Sequence, residues 1–358
     1  MPLILVTNSG KYYNNQPNIC NTSIYRKFTM NVRERFKAVM NFEAPDQLPA
    51  MEWISWWDKT IERWRSEGLP CELSREDTLR WFGLDVNEWI WLHSRTTIAR
   101  PQDRARSQGV IDSEDDYERL VAPVLAAKPD INKEQFSRIA AAQKRGDVVV
   151  WLQLDGFFWF PREIFGVEKH LFAFFDQPEF MHRMNNDLCH YNLACLETVL
   201  EILTPDVMTF AEDLSYNHGP MLSRKLFDEF ITPYYQQIIP LAKERGIIPM
   251  IDTDGNVTKV IPWLQAAGIE GCLPLERMAG VDVAELRRCY PTWRMIGGFD
   301  KTVTHFGEDA IRKEFERLLP VMKTGGYIPS TDHQTPPDVS LKTFGDYVRL
   351  LKKYCRTT

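Results

Sequence analysis

The stretch 246–276, GIIPMIDTDGNVTKVIPWLQAAGIEGCLPLE, contains one whole unit of the fold. Residues 246–252 form a short apolar run ending on Asp252. A turn with Asp254 and Gly255 follows, residues 258–267 carry apolar positions at helical spacing, and a second apolar run, 271–275, leads into Glu276. Strand, helix and strand in this order make a βαβ unit, whose two strands lie parallel.

The same alternation continues in both directions. Apolar runs at 48–54, 147–154, 207–214, 294–299 and 326–329 read as strands, and 88–93 is the candidate for the one strand that is hard to place. Helical patterns occupy 74–82, 134–145, 179–203, 223–245, 283–290, 309–323 and 341–354. This predicts an α/β protein built as a single (β/α)8 TIM barrel with loop insertions, a core of about 250 residues for which 358 suffice. Residues 1–29, rich in Asn, Ser, Thr and Tyr without sustained periodicity, read as a poorly ordered extension, and 30–358 as the barrel domain. Met30 is a candidate start of the functional chain, since Val32, Phe36, Val39 and Met40 recur at helical spacing just after it. The polar stretch 95–118 reads as a long loop or excursion over the barrel mouth.

Composition excludes several function classes. With Lys+Arg 43 against Asp+Glu 49, the net charge of −6 lacks the basic excess that displaces counterions from nucleic acid. No run reaches the ~18 apolar residues of a membrane span, and the N-terminus lacks the order of a secretory signal. Seven scattered cysteines, an odd number with no Cys-x-x-Cys pair, fit a reducing cytoplasm. Walker loop, dinucleotide fingerprint, GxSxG elbow and HExxH are all missing, which argues against nucleotide-dependent, hydride-transfer and serine-hydrolase chemistry.

In a parallel barrel the loops at the strands' C-terminal ends converge on one pocket. Five consecutive strand ends carry acids here: Glu212 and Asp213; Asp252 and Asp254; Glu276; Asp300; and Asp332 with His333. A single strand-end Asp is ordinarily a helix cap, but five in succession raise one another's pKa and favour a cation or a cationic ligand. Asp252, Asp254, Glu276 and His333 are the candidate catalytic residues, His333 as a proton shuttle or a ligand for a carboxylate. The Asp252-Thr253-Asp254-Gly255 spacing opens like a calcium loop but lacks its remaining ligands. His182 and His190, with Asp187 near, share a helix face that faintly resembles a metal site, with packing as the simpler role.

Seven of the eleven tryptophans lie between Trp53 and Trp91. Trp53, Trp57 and Trp64 follow helical spacing, so they are core or an aromatic wall for a flat ligand. Glu52, Trp53, Trp57, Phe158, Glu212, Asp213, Asp300 and Asp332 complete the candidate substrate-binding set, with the run Phe157-Phe158-Trp159-Phe160 as apolar surface.

The segments MLSRKLFDEFITPYY (221–235), AAGIEGCLPLE (266–276), MIGGFDK (295–301) and GGYIPSTDHQTPPDVSLKTF (325–344) resemble the uroporphyrinogen decarboxylase superfamily. The resemblance spans about 30–354 and implies a single (β/α)8 barrel, acting as a decarboxylase or a cobalamin-dependent methyltransferase. In the decarboxylases a histidine follows the last strand, and His333 matches it. Their Arg-rich segment after the first strand reads EWISWWDKT (52–60) here, and no counterpart is found of their aspartate that grips the pyrrole N–H groups. The methyltransferases hold zinc with a His-x-Cys pair and a later Cys; this sequence has Asp252-x-Asp254 and Thr331-Asp332-His333 there, without a soft ligand. Oxygen ligands with His333 leave a divalent ion open. Three readings follow: methyl transfer between a corrinoid on a carrier protein and a small molecule; decarboxylation of uroporphyrinogen or another carboxylate, with no cofactor; or a ligand-binding barrel without catalysis.

Overall fold

The computed structural model describes residues 29–92, 94, 98 and 108–357. The extension expected at 1–29 lies outside these except for its last residue, as does most of 95–107 in the expected loop. Seven parallel strands form one sheet in chain order: β1 (Val86–Leu92), β2 (Val148–Asp155), β3 (Val207–Ala211), β4 (Ile248–Asp252), β5 (Gly271–Leu273), β6 (Arg294–Phe299) and β7 (Tyr327–Thr331). The sheet curls with helices around it, an α/β TIM-like barrel. In β2 every residue of VVVWLQLD is buried, as befits a parallel strand covered on both faces.

The strand expected at 48–54 is not one. Pro49 cannot donate to a ladder, and the segment runs extended between β7 and β1 on bonds carried largely by side chains. The Ala50 N–H donates to the Asp85 carboxylate at 3.0 Å, while the Asp85 N–H donates to the Ala50 carbonyl at 2.8 Å. The Trp53 N–H donates to the Ser330 hydroxyl at 3.2 Å, and its indole N–H to the Thr331 carbonyl at 2.8 Å. Glu52, fully buried, accepts from the hydroxyls of Ser330, Thr331 and Tyr347. Arg75 and Asn87 donate to the carbonyl of Glu52, so every side of the seam is tied.

The pattern at 223–245 reads as one helix but forms two, Arg224–Phe230 and Thr232–Glu244, with Pro233 in the first turn of the second, where its missing N–H costs no helical bond. The helix Val32–Met40 opens with a capping box between Asn31 and Glu34 and closes the end of the barrel opposite the strands' C-termini. There Arg33 pairs with Asp206 at 2.7 Å, and the Gly326 N–H donates to the Val39 carbonyl at 2.7 Å. Gly297, at φ +109°, is required: a Cβ would sit 2.1 Å from the Pro274 carbonyl oxygen of the loop after β5. Among the described residues no helix is long and apolar enough to cross a membrane.

The seam predicts its own test. Glu52→Ala strands three buried hydroxyls and should cost about 2–4 kcal/mol in urea unfolding. A cost under about 0.5 kcal/mol, the range of surface substitutions, would show that Glu52 does not hold the seam.

Candidate active site

The strand ends bring most of the expected acids into one mouth. From β4, Asp252 accepts from the Gln153 amide at 3.4 Å, and Gln153 in turn accepts from the Trp89 indole N–H at 3.0 Å. Two residues on, the Asp254 N–H donates to the Asp213 carboxylate at 3.2 Å, and the Gly255 N–H to Glu276 at 2.9 Å. Asp332 accepts from the N–H groups of Arg277 and Lys301, at 2.9 and 3.0 Å, joining the loops after β5, β6 and β7. His333 Nε2 stands 3.8 Å from the Asp254 carboxylate, just beyond hydrogen-bond length. Asp213, at φ +42°, is held by Arg162, which donates to its carbonyl at 3.0 Å and its carboxylate at 3.3 Å.

Other candidates serve as supports. Glu212 is buried beneath the loop after β2 and accepts from the N–H groups of Phe157, Phe158 and Trp159 and from the Tyr235 hydroxyl. Gly156 leaves the room, since a Cβ there would lie 2.3 Å from the Glu212 carboxyl carbon. Phe158 is buried against His170 and Phe174, and Glu52 and Trp53 are locked in the seam, so the structure places these three, like Glu212, in the walls and not on an open face. Asp300 caps the short 3-10 helix Lys301–Phe306 through the Thr302 N–H at 2.9 Å. Trp57 is 45% exposed on the rim, whereas Trp64 is core.

Burial and mutual repulsion act on the mouth acids together. Burial, then Asp213 and Asp254, hold Asp252 well above the carboxylate range. Burial, then Asp213 and Glu276, push Asp254 up to about 8, an effect that water tempers because 39% of the side chain is exposed. Burial raises Asp332 to about 6, while burial and Lys301 lower His333. These effects favour the protonated form of Asp254 beside the uncharged form of the His333 imidazole.

Gln153, Lys301 and Arg162 also shape the site and were not anticipated. Gln153 is the one polar residue inside the VVVWLQL run, and Lys301 adjoins the β6 end, so both left a signal. Arg162 left none.

Thiolate zinc does not fit these residues. The buried Cys272 thiol accepts from the Trp293 indole N–H at 3.1 Å, and burial pushes it up to about 12. Among the described residues no group of three or more His, Cys, Asp or Glu is arranged to hold a metal ion. His182 and His190 do not converge on Asp187: His182 bonds the Tyr234 hydroxyl at 2.9 Å, His190 lies near Asn186, and Asp187 accepts from Tyr117.

The raised Asp254 makes stability depend on pH. Its folded value of about 8 exceeds the ordinary 3.8, so its contribution is full below 3.8 and is lost as pH rises through 8. The melting temperature of Asp254→Asn relative to the parent should therefore climb between pH 5 and 8.5. A difference that stays flat over that interval would place Asp254 in an ordinary, solvated setting.

A search of curated proteins found no match. Among solved structures the chain is similar to a methyltransferase from Methanosarcina mazei, with TM-score 0.62 and 14% identity, covering 91% of this chain and 99% of that one. It is also similar to D-psicose 3-epimerase from Clostridium cellulolyticum H10, with TM-score 0.39 and 8% identity over 75% of this chain and 98% of that one. The family model for uroporphyrinogen decarboxylase (URO-D) matches residues 162–354, more than half of the chain, and the chain belongs to that family.

Proposed function

We propose that the protein is a cytoplasmic methyltransferase that moves a methyl group between a corrinoid on a carrier protein and a small molecule, such as a methoxylated or methylamine-type compound. The observation that carries this reading is the placement of His333 Nε2 3.8 Å from Asp254, whose pKa burial, Asp213 and Glu276 raise. Breaking a methyl–oxygen or methyl–nitrogen bond leaves a poor leaving group, and an acid with a pKa near the working pH delivers the proton it needs. Burial, then Asp213 and Glu276, favour the protonated form of Asp254; His333 can take up the proton in the reverse direction.

The corrinoid, when bound, supplies the centre that gives or takes the methyl group. Trp57, Tyr216 and Met278, 45%, 50% and 72% exposed on the loops after 48–54, β3 and β5, offer the apolar rim a corrin face requires. The solved methyltransferase with this fold agrees with the reading. Decarboxylation of a tetrapyrrole bearing many carboxylates is opposed by the acids at the mouth, and Arg75, which reaches the first segment, is engaged by the carbonyls of Glu52, Trp53 and Asn87.

The test is anaerobic absorbance with reduced cobalamin and either methoxylated benzoates or methylamines. Methyl–cobalt absorbance should grow only with enzyme, slow above about pH 8 as Asp254 ionises, and fall about 100-fold in Asp254→Asn. Release of carbon dioxide from uroporphyrinogen with no methyl–cobalt signal from either donor class would overturn the proposal.

A further inference from the structure

Among the described residues, Arg162, Arg277 and Lys301 lie beside the mouth acids. Arg162 is bonded to Asp213 and lies over the Trp159 ring at 4.2 Å. Arg277 donates to the Val281 carbonyl at 3.3 Å and pairs with Asp282 at 3.6 Å. Lys301 differs. Its main-chain N–H is fixed on Asp332 at 3.0 Å, so the base of the side chain is held. Its ammonium, however, makes no hydrogen bond among the described residues. The carboxylate oxygen that pairs with it, on Glu276, is 3.9 Å away, and the side chain is only 20% exposed.

An ammonium carries three donors, and covering it without acceptors forfeits their hydration. A ligand oxygen restores those bonds. The position suits one: Lys301 acts electrostatically on both Asp254 and His333, so its charge reaches the pair that handles the proton. Trp89, joined to Asp252 through Gln153 and stacked on Trp91 at 5.9 Å, gives aromatic surface on the β1 side.

We propose that Lys301 binds the carboxylate of the substrate and makes the site select aromatic monocarboxylates. One lysine among several acids compensates one negative charge and not several. The inference rests on the reading of this mouth as the methyl-transfer site, and it concerns which donor that site accepts.

Calorimetric titration without corrinoid separates the two. The protein should bind 4-methoxybenzoate about 10-fold or more tightly than methoxybenzene, the same ring without the charge. Lys301→Met should erase that preference while leaving methoxybenzene affinity unchanged, and Lys301→Arg should keep most of it. No preference in the parent protein, including failure to bind either compound, overturns the inference. So does equal weakening of both ligands in Lys301→Met, which would make Lys301 a packing residue. Because no turnover is read, a Lys301-dependent preference stands even if methyl transfer fails, and methyl transfer without the preference removes only the anchor.

Discussion

A carboxylate taken out of water must be given donors or a proton, and the barrel mouth is built on how that requirement is met. Most of its acids receive main-chain N–H groups. Glu212 takes three from the loop after β2, Asp332 takes one from each of two loops, Glu276 takes Gly255, and Asp213 takes Asp254. Each bond crosses from one βα loop to another, so satisfying the charges also fixes the loops against one another. The acids at the ends of β3, β5 and β7 are thus the mortar of the site as well as its charge.

The closure of the barrel obeys the same rule with different donors. Glu52 sits where a regular ladder would need an eighth strand, and its lone pairs are filled by the hydroxyls of Ser330, Thr331 and Tyr347. Side chains therefore do at the seam what peptide groups do elsewhere. Burial still raises the Glu52 pKa, since hydroxyl donors offset only part of the lost hydration. Position 52 is consequently unsuited to gripping a ligand, although it stands at the end of the first segment.

Sequence periodicity discloses strands and helices because each buries a face in a fixed period, and β6 at 294–299 matches the run read from the sequence. It fails where tertiary partners replace local rules. An apolar run with Pro49 looks like a strand until one sees that its bonds go to Asp85, Asn87 and Ser330. The convergence of Asp213, Asp252, Asp254, Glu276, Asp332 and His333 was legible, because strand ends must meet in a barrel. Which of them are pinned was not. That depends on N–H groups tens of residues away, such as Gly255 for Glu276, and on the space beside Gly156 that admits Glu212.

The distinction between pinned and unpinned acids also bears on what the mouth can hold. Both oxygens of Asp332 face N–H donors, and Glu276 has one oxygen on Gly255 and the other toward Lys301, so these groups have little capacity left for a cation. Among the described residues, Asp252 has one long bond from Gln153, and the Asp254 carboxylate meets the imidazole at 3.8 Å. With donors scarce, burial and their neighbours' charge raise the pKa of both and favour their protonated forms. A hard divalent ion needs several ionised oxygens converging on one point, whereas here the pinned acids are turned toward the loops and burial favours the protonated form of the other two. Under the proposed function, this leaves Asp254, 3.8 Å from His333, as the group that moves a proton.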